Sequence, residues 1–179
     1  MKKIISFLII LMLAVLCSAC INNYAVQQLN QKAKEFSDKG DLNSAASRLE
    51  SSIDLDGSVF ESRYNLAVVY IKLENCEKAL EQIKEARNLQ PSDNSLNYVE
   101  GLANTCLADK LIDKDVDIDE HEDDNNELSL GDAKNYINYL KNANSSFEKY
   151  LSQDKNDEVQ LIIEKNNQLI DEYSNKYGI

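Results

Sequence analysis

Tryptophan is absent, proline occurs once and glycine five times in 179 residues. Folds built of short strands need frequent turn residues, so this scarcity argues against a β-rich architecture. Histidine also occurs once, as His121, inside a run of acids. A lone imidazole in a solvated run cannot be held in the geometry of a Ser/His/Asp or Cys/His set. No glycine-rich phosphate loop appears, and no CxxC or other metal-ligand spacing survives beyond residue 19. Carboxylates are too numerous on solvated helices for any pair to stand out. No enzyme activity and no cofactor are therefore expected. Positive charge is scarce as well: 19 Lys and Arg against 31 Asp and Glu leave a net charge of −12. Nucleic acid is an improbable partner, because neutralising phosphates requires a basic surface.

What is present is helical periodicity, clearest from Phe60 to Asp93. Leu66, Ala67, Tyr70 and Ile71 share one helical face; Ala79, Leu80, Ile83 and Ala86 share another. Glu74-Asn75-Cys76 interrupts the pattern, and Pro91 ends the second helix because its ring lacks an N–H. The segment resembles a tetratricopeptide repeat, a 34-residue helix pair. Leu66, Ala67, Tyr70, Ala79, Ile83, Ala86 and Pro91 fill the family's places in register, with Arg63 where tryptophan is common.

One such repeat cannot bury its apolar faces alone, so neighbours are expected. Upstream, residues 26–59 place Ala33, Phe36, Gly40, Ala45 and Leu49 at the matching offsets, with Lys32 where leucine is usual, Ser52 where alanine is usual and Gly57 where proline is usual. Downstream, Gly101 follows Ala67 by the same 34 residues that separate Ala67 from Ala33. The period then fails and resumes at Ala143, Phe147 and Tyr150, so a third repeat over 94–156 is split by an insertion at about 113–129. The resemblance implies an all-α, right-handed α-solenoid of about three helix pairs, with residues 157–179 as a capping helix. The stripe Val159, Ile162, Ile163, Leu169, Ile170 and Tyr173 gives that helix its inner face, and Asp157 is its expected cap. A docking helix for another subunit is the alternative.

In this family the first helix of each repeat lines the concave face. The resemblance places Asn30, Lys34, Tyr64, Val68, Ile71, Tyr98 and Leu102 there as a partner-binding groove. An apolar and aromatic stripe of that size suggests a partner, unless the insertion or the C-terminal helix covers it. Some members grip a C-terminal carboxylate with lysine, asparagine and arginine. Here those places hold Asn30, Lys34, Asn65, Ser95 and Val99, so that mode is not expected.

Lys2-Lys3, the apolar run Ile4–Leu16 and the ending Ser18-Ala19-Cys20 describe an export signal. The ending resembles a bacterial lipobox, although Cys17 stands where leucine is preferred. It implies cleavage after residue 19, a covalent lipid on Cys20, and a short linker over 20–25. A plain signal peptide or an uncleaved anchor are the alternatives. Cleavage would remove two lysines and take the net charge from −12 to −14. Cys76 and Cys106 would then be the remaining thiols, either bonded to each other or packed as two small hydrophobes.

The insertion carries nine acids between Asp113 and Leu128. Such a run reads as a solvated loop. Asp113, Asp115, Asp117 and Asp119 invite a calcium reading, but Ile118 stands where an EF-hand requires glycine and Asp124 where it requires glutamate. The functional expectation is a lipid-anchored protein-interaction scaffold of the bacterial envelope. The alternatives are a cation-binding or sensing lipoprotein using 113–127, and a surface antigen without a groove ligand.

Overall fold

The computed structural model describes residues 23–113 and 128–179. The expectations for the signal segment and Cys20, and for Asp115, Asp117, Asp119 and His121, lie outside the described residues. Residues 23–38 form α1. It is followed by α2 (Leu42–Leu55), α3 (Phe60–Lys72), α4 (Cys76–Leu89), α5 (Ser95–Asp113), α6 (Leu130–Leu151) and α7 (Asp157–Tyr177). No strand occurs among the described residues. The architecture is an all-α solenoid of three helix pairs, with α7 laid on α6.

The turns explain where the helices stop. Gly40, after α1, takes φ +79°, and Glu74, after α3, takes φ +58°. They lie 34 residues apart, at the same place in two consecutive repeats. A left-handed residue ends a helix, and glycine does so without a Cβ clash. The corresponding residue of the third repeat, Ala108, is fully buried and remains helical. With no turn there, α5 runs on to Asp113.

Three cores follow from the apolar stripes. Ala33, Leu49, Leu66, Ala67, Ile83, Leu96 and Val99 join the first two repeats to the start of α5. Ala143 and Phe147 of α6 meet Val159 and Ile163 of α7. The extended ends of α5 and α6 hold their own core, where Ala108, Tyr136, Ile137 and Leu140 meet Ile170. These pairings make α6 and α7 antiparallel. Two buried asparagines and an exposed one also cross that interface: Asn166 Nδ2 donates to Asn144 Oδ1 at 2.8 Å, and Asn144 Nδ2 to Oδ1 of the exposed Asn167 at 2.9 Å.

Helix starts are capped by side-chain oxygens accepting from free backbone N–H groups. Asp41 accepts from Ser44 N, and Ser129 from Asp132 N. The cap of α7 is Asn156, one residue before the expected Asp157, which is the first helical residue. Asn156 is extended, at φ −149°, and its Oδ1 reaches the N–H groups of both Glu158 and Val159.

Candidate partner-binding groove

The first helices α1, α3 and α5 present one face side by side. Helical spacing puts Tyr64, Val68 and Ile71 of α3, and Tyr98 and Leu102 of α5, on that face. All five are half-buried. The structure divides them into three neighbourhoods.

Between α1 and α3 lies a hollow of about 210 Å³, lined in part by Ala33, Lys34, Asp38, Asn65 and Val68. Lys34 is held by Asp38 at 2.8 Å, an exposed pair worth about 0.2–1 kcal/mol, so its ammonium is easily recruited elsewhere. Asn30 also lines the hollow, but its amide is turned inward. Nδ2 lies 3.1 Å from Ser52 Oγ and 2.8 Å from Ser62 Oγ, while Oδ1 is buried without a partner. Asn30 thus ties α1 to α2 and α3. The serine at position 52, where alanine is usual, is explained by this contact: Ser52 and Ser62 are both fully buried and bonded at 2.9 Å.

The starts of α3 and α5 carry the aromatic part. Phe60 and Tyr64 stack at 5.9 Å, and Tyr98 meets Tyr150 at 5.3 Å. Burial pushes the Tyr64 hydroxyl above the usual tyrosine range, with Ser95 opposing as a hydrogen-bond partner. Asn94 fixes the start of α5 by donating to Tyr150 O at 3.0 Å and to Asp154 Oδ2 at 2.7 Å. Periodicity placed Tyr150 on the second helix of the third repeat, but not against Tyr98, because a contact between helices far apart in sequence leaves no local signal.

Toward the other ends of α3 and α5 a second hollow, about 350 Å³, is lined by Ile71, Leu102 and Cys106 among others. Cys76 and Cys106 are joined by a disulfide, with Cα atoms 5.8 Å apart. The bond staples the start of α4 to α5 beside this hollow. The chain's own α6 and C-terminal helix α7 partly cover the groove: Tyr98 and Leu102 pack against the core of Phe147 from α6 and Val159 and Ile163 from α7. Val99 is 1% exposed and cannot reach a ligand. Asp113 ends α5 and is exposed, and no set of three metal-ligating side chains occurs among the described residues.

No protein-family model matches the chain, and no curated protein sequence matches it. Solved structures do. The first TPR domain of human RPAP3 superposes with a TM-score of 0.63 at 17% identity, covering 85% of this chain and 97% of that one. The first TPR of Spaghetti (RPAP3), bound to the HSP90 peptide SRMEEVD, gives 0.60 at 17% identity, covering 81% and 92%. At that identity the likeness is one of fold. The chain has the fold of a tetratricopeptide-repeat domain.

Proposed function

We propose that this protein is an interaction scaffold that binds a partner peptide or helix in the groove of α1, α3 and α5. The reading rests on one observation above all. Tyr64, Val68, Ile71, Tyr98 and Leu102 stay half-buried on one continuous face that also holds two hollows. The part of these apolar side chains that the cores leave open favours association. A protein of the same fold holds the peptide SRMEEVD. The partner contact here is apolar and aromatic in the main, because Ser95 and the buried Val99 stand where carboxylate-gripping relatives carry cations.

The proposal includes the location. Lipid on Cys20 would tether the domain to a bacterial envelope membrane, a few residues before α1. Several acyl chains give stable anchoring, since each buried methylene contributes about 0.8 kcal/mol. The domain would then assemble or stabilise an envelope complex.

Crosslinking pull-down from intact cells tests the groove. A Tyr64→Ala/Tyr98→Ala double variant should lose partners that the wild type captures. Identical capture by a correctly folded double variant would remove the groove from the function. Mass spectrometry of the mature N-terminus tests the anchor: the expected terminal residue is Cys20 carrying lipid, and an unmodified residue elsewhere would refute it.

A further inference from the structure

We propose that the cleft between α4 and α6, floored by α5, is a second binding site, for a short acidic peptide segment of a partner protein. The cleft has a volume of about 540 Å³. It lies on the opposite side of α5 from the groove. Glu100 and Asn104, four residues apart, face it, whereas Tyr98 and Leu102 are set about 200° around the helix, at about 100° per residue.

Its charge runs against that of the chain. Carboxylates outnumber cations 31 to 19 overall, yet Lys84, Arg87 and Lys149 line this cleft with Glu100 as the one carboxylate. That carboxylate is engaged: Glu100 Oε2 accepts from Arg87 at 3.0 Å and from Ser146 at 3.3 Å. The ammonium groups of Lys84 and Lys149 form no ion pair among the described residues. On so acidic a surface, two cations outside any ion pair facing one cavity make it a place that attracts a carboxylate.

The walls offer matching neutral groups. Asn104 is 7% exposed, donates Nδ2 to Glu100 O at 2.9 Å, and keeps its Oδ1 without a hydrogen bond among the described residues. Asn88 and Asn142 add amides that both donate and accept, as a peptide backbone does. From Leu80 to Asn88 the α4 wall spans about 12 Å, at about 1.5 Å per residue. That accommodates about four extended residues. The surrounding surface repels a longer polyanion, which disfavours nucleic acid.

Fluorescence polarisation with a fluorescein-labelled peptide of about four acidic residues tests the site on the purified protein. Wild type should bind, more weakly as salt is raised. Lys84→Ala/Lys149→Ala should weaken binding about fivefold or more, the sum of two exposed pairs. Tyr64→Ala/Tyr98→Ala should leave it unchanged, which separates this site from the groove. Both lysines are exposed, and circular dichroism confirms that the variants fold. Absence of binding, equal binding by the lysine double variant, or loss in the tyrosine variant instead would overturn the site. Binding of an acidic oligosaccharide in place of the peptide would overturn the ligand class.

Discussion

Gly101 lies directly under the ring of Phe147: a Cβ built on it would fall 2.5 Å from Cδ1 and 2.7 Å from Cζ. Phe147 is fully buried, so the ring has nowhere to move. Alanine is the better helix former by about 1 kcal/mol. Overpacking a filled core costs about 1–3 kcal/mol. Gly101→Ala should therefore lower the melting temperature despite its propensity, and adding Phe147→Leu should recover part of the loss. A thermal melt of the single and double variants checks both, and a Gly101→Ala protein as stable as wild type would contradict the packing.

The Cys76–Cys106 bond closes a loop of 30 residues in sequence separation. Constraining the unfolded chain to that extent contributes about 2–4 kcal/mol. Reduction, or Cys106→Ser with Cys76→Ser, should lower the unfolding free energy from denaturant titration by that amount, with a lower midpoint and an unchanged helical spectrum. Thiol labelling of denatured, unreduced protein gives the complementary test: two reactive thiols per chain would show that the bond is not formed.

Glu74 adopts a left-handed conformation that glycine adopts one repeat earlier. That conformation costs an L-residue about 1–2 kcal/mol, partly offset by the greater unfolded-state freedom of glycine. Glu74→Gly should stabilise the protein by about 0.5–1 kcal/mol, read as a raised urea midpoint. Gly40→Ala should do the reverse, although no atom lies within 4 Å of its Cβ position.

Alkaline pH should loosen the α6–α7 end. Burial, aided by the nearby Tyr173, pushes the Tyr136 hydroxyl from 10.0 up to about 12. Between those values the unfolded chain has released a proton that the folded chain keeps, so stability falls as pH rises. Below pH 10 the contribution is fully present. Tyr136→Phe should flatten the decline in denaturation midpoint from about pH 10 to 12. An unchanged slope would mean that the phenol titrates normally.

The helix pairs were legible because each depends on neighbours within one or two turns. Leu66, Ala67, Tyr70, Ala79 and Ile83 declare their faces by spacing alone. The lengthened third pair was legible too, since Leu102, Cys106 and Leu111-Ile112 keep the stripe going. The inward role of Asn30 was not, because its partners are hydroxyls 22 and 32 residues away and nothing local marks them. The cleft between α4 and α6 was equally hidden. Its lysines read as ordinary solvated charges until the fold brings residues from three helices together. The one-residue shift in the α7 cap has a local cause: Asn156 and Asp157 both suit the role, and backbone geometry chooses between them.

The paired asparagines on α6 and α7 act as a key. Sliding α7 by one turn would bring Ile162 and Ile163, or Ile170 and Asp171, opposite Asn144. At least one buried amide would then be stranded, at about 1–3 kcal/mol. The helix therefore has one seat along α6. The key tests only alignment, though, and not ownership. If two copies exchanged their terminal helices, each Asn144 would still meet an Asn166 and an Asn167, and the swapped pair would satisfy the lock as well as the monomer does.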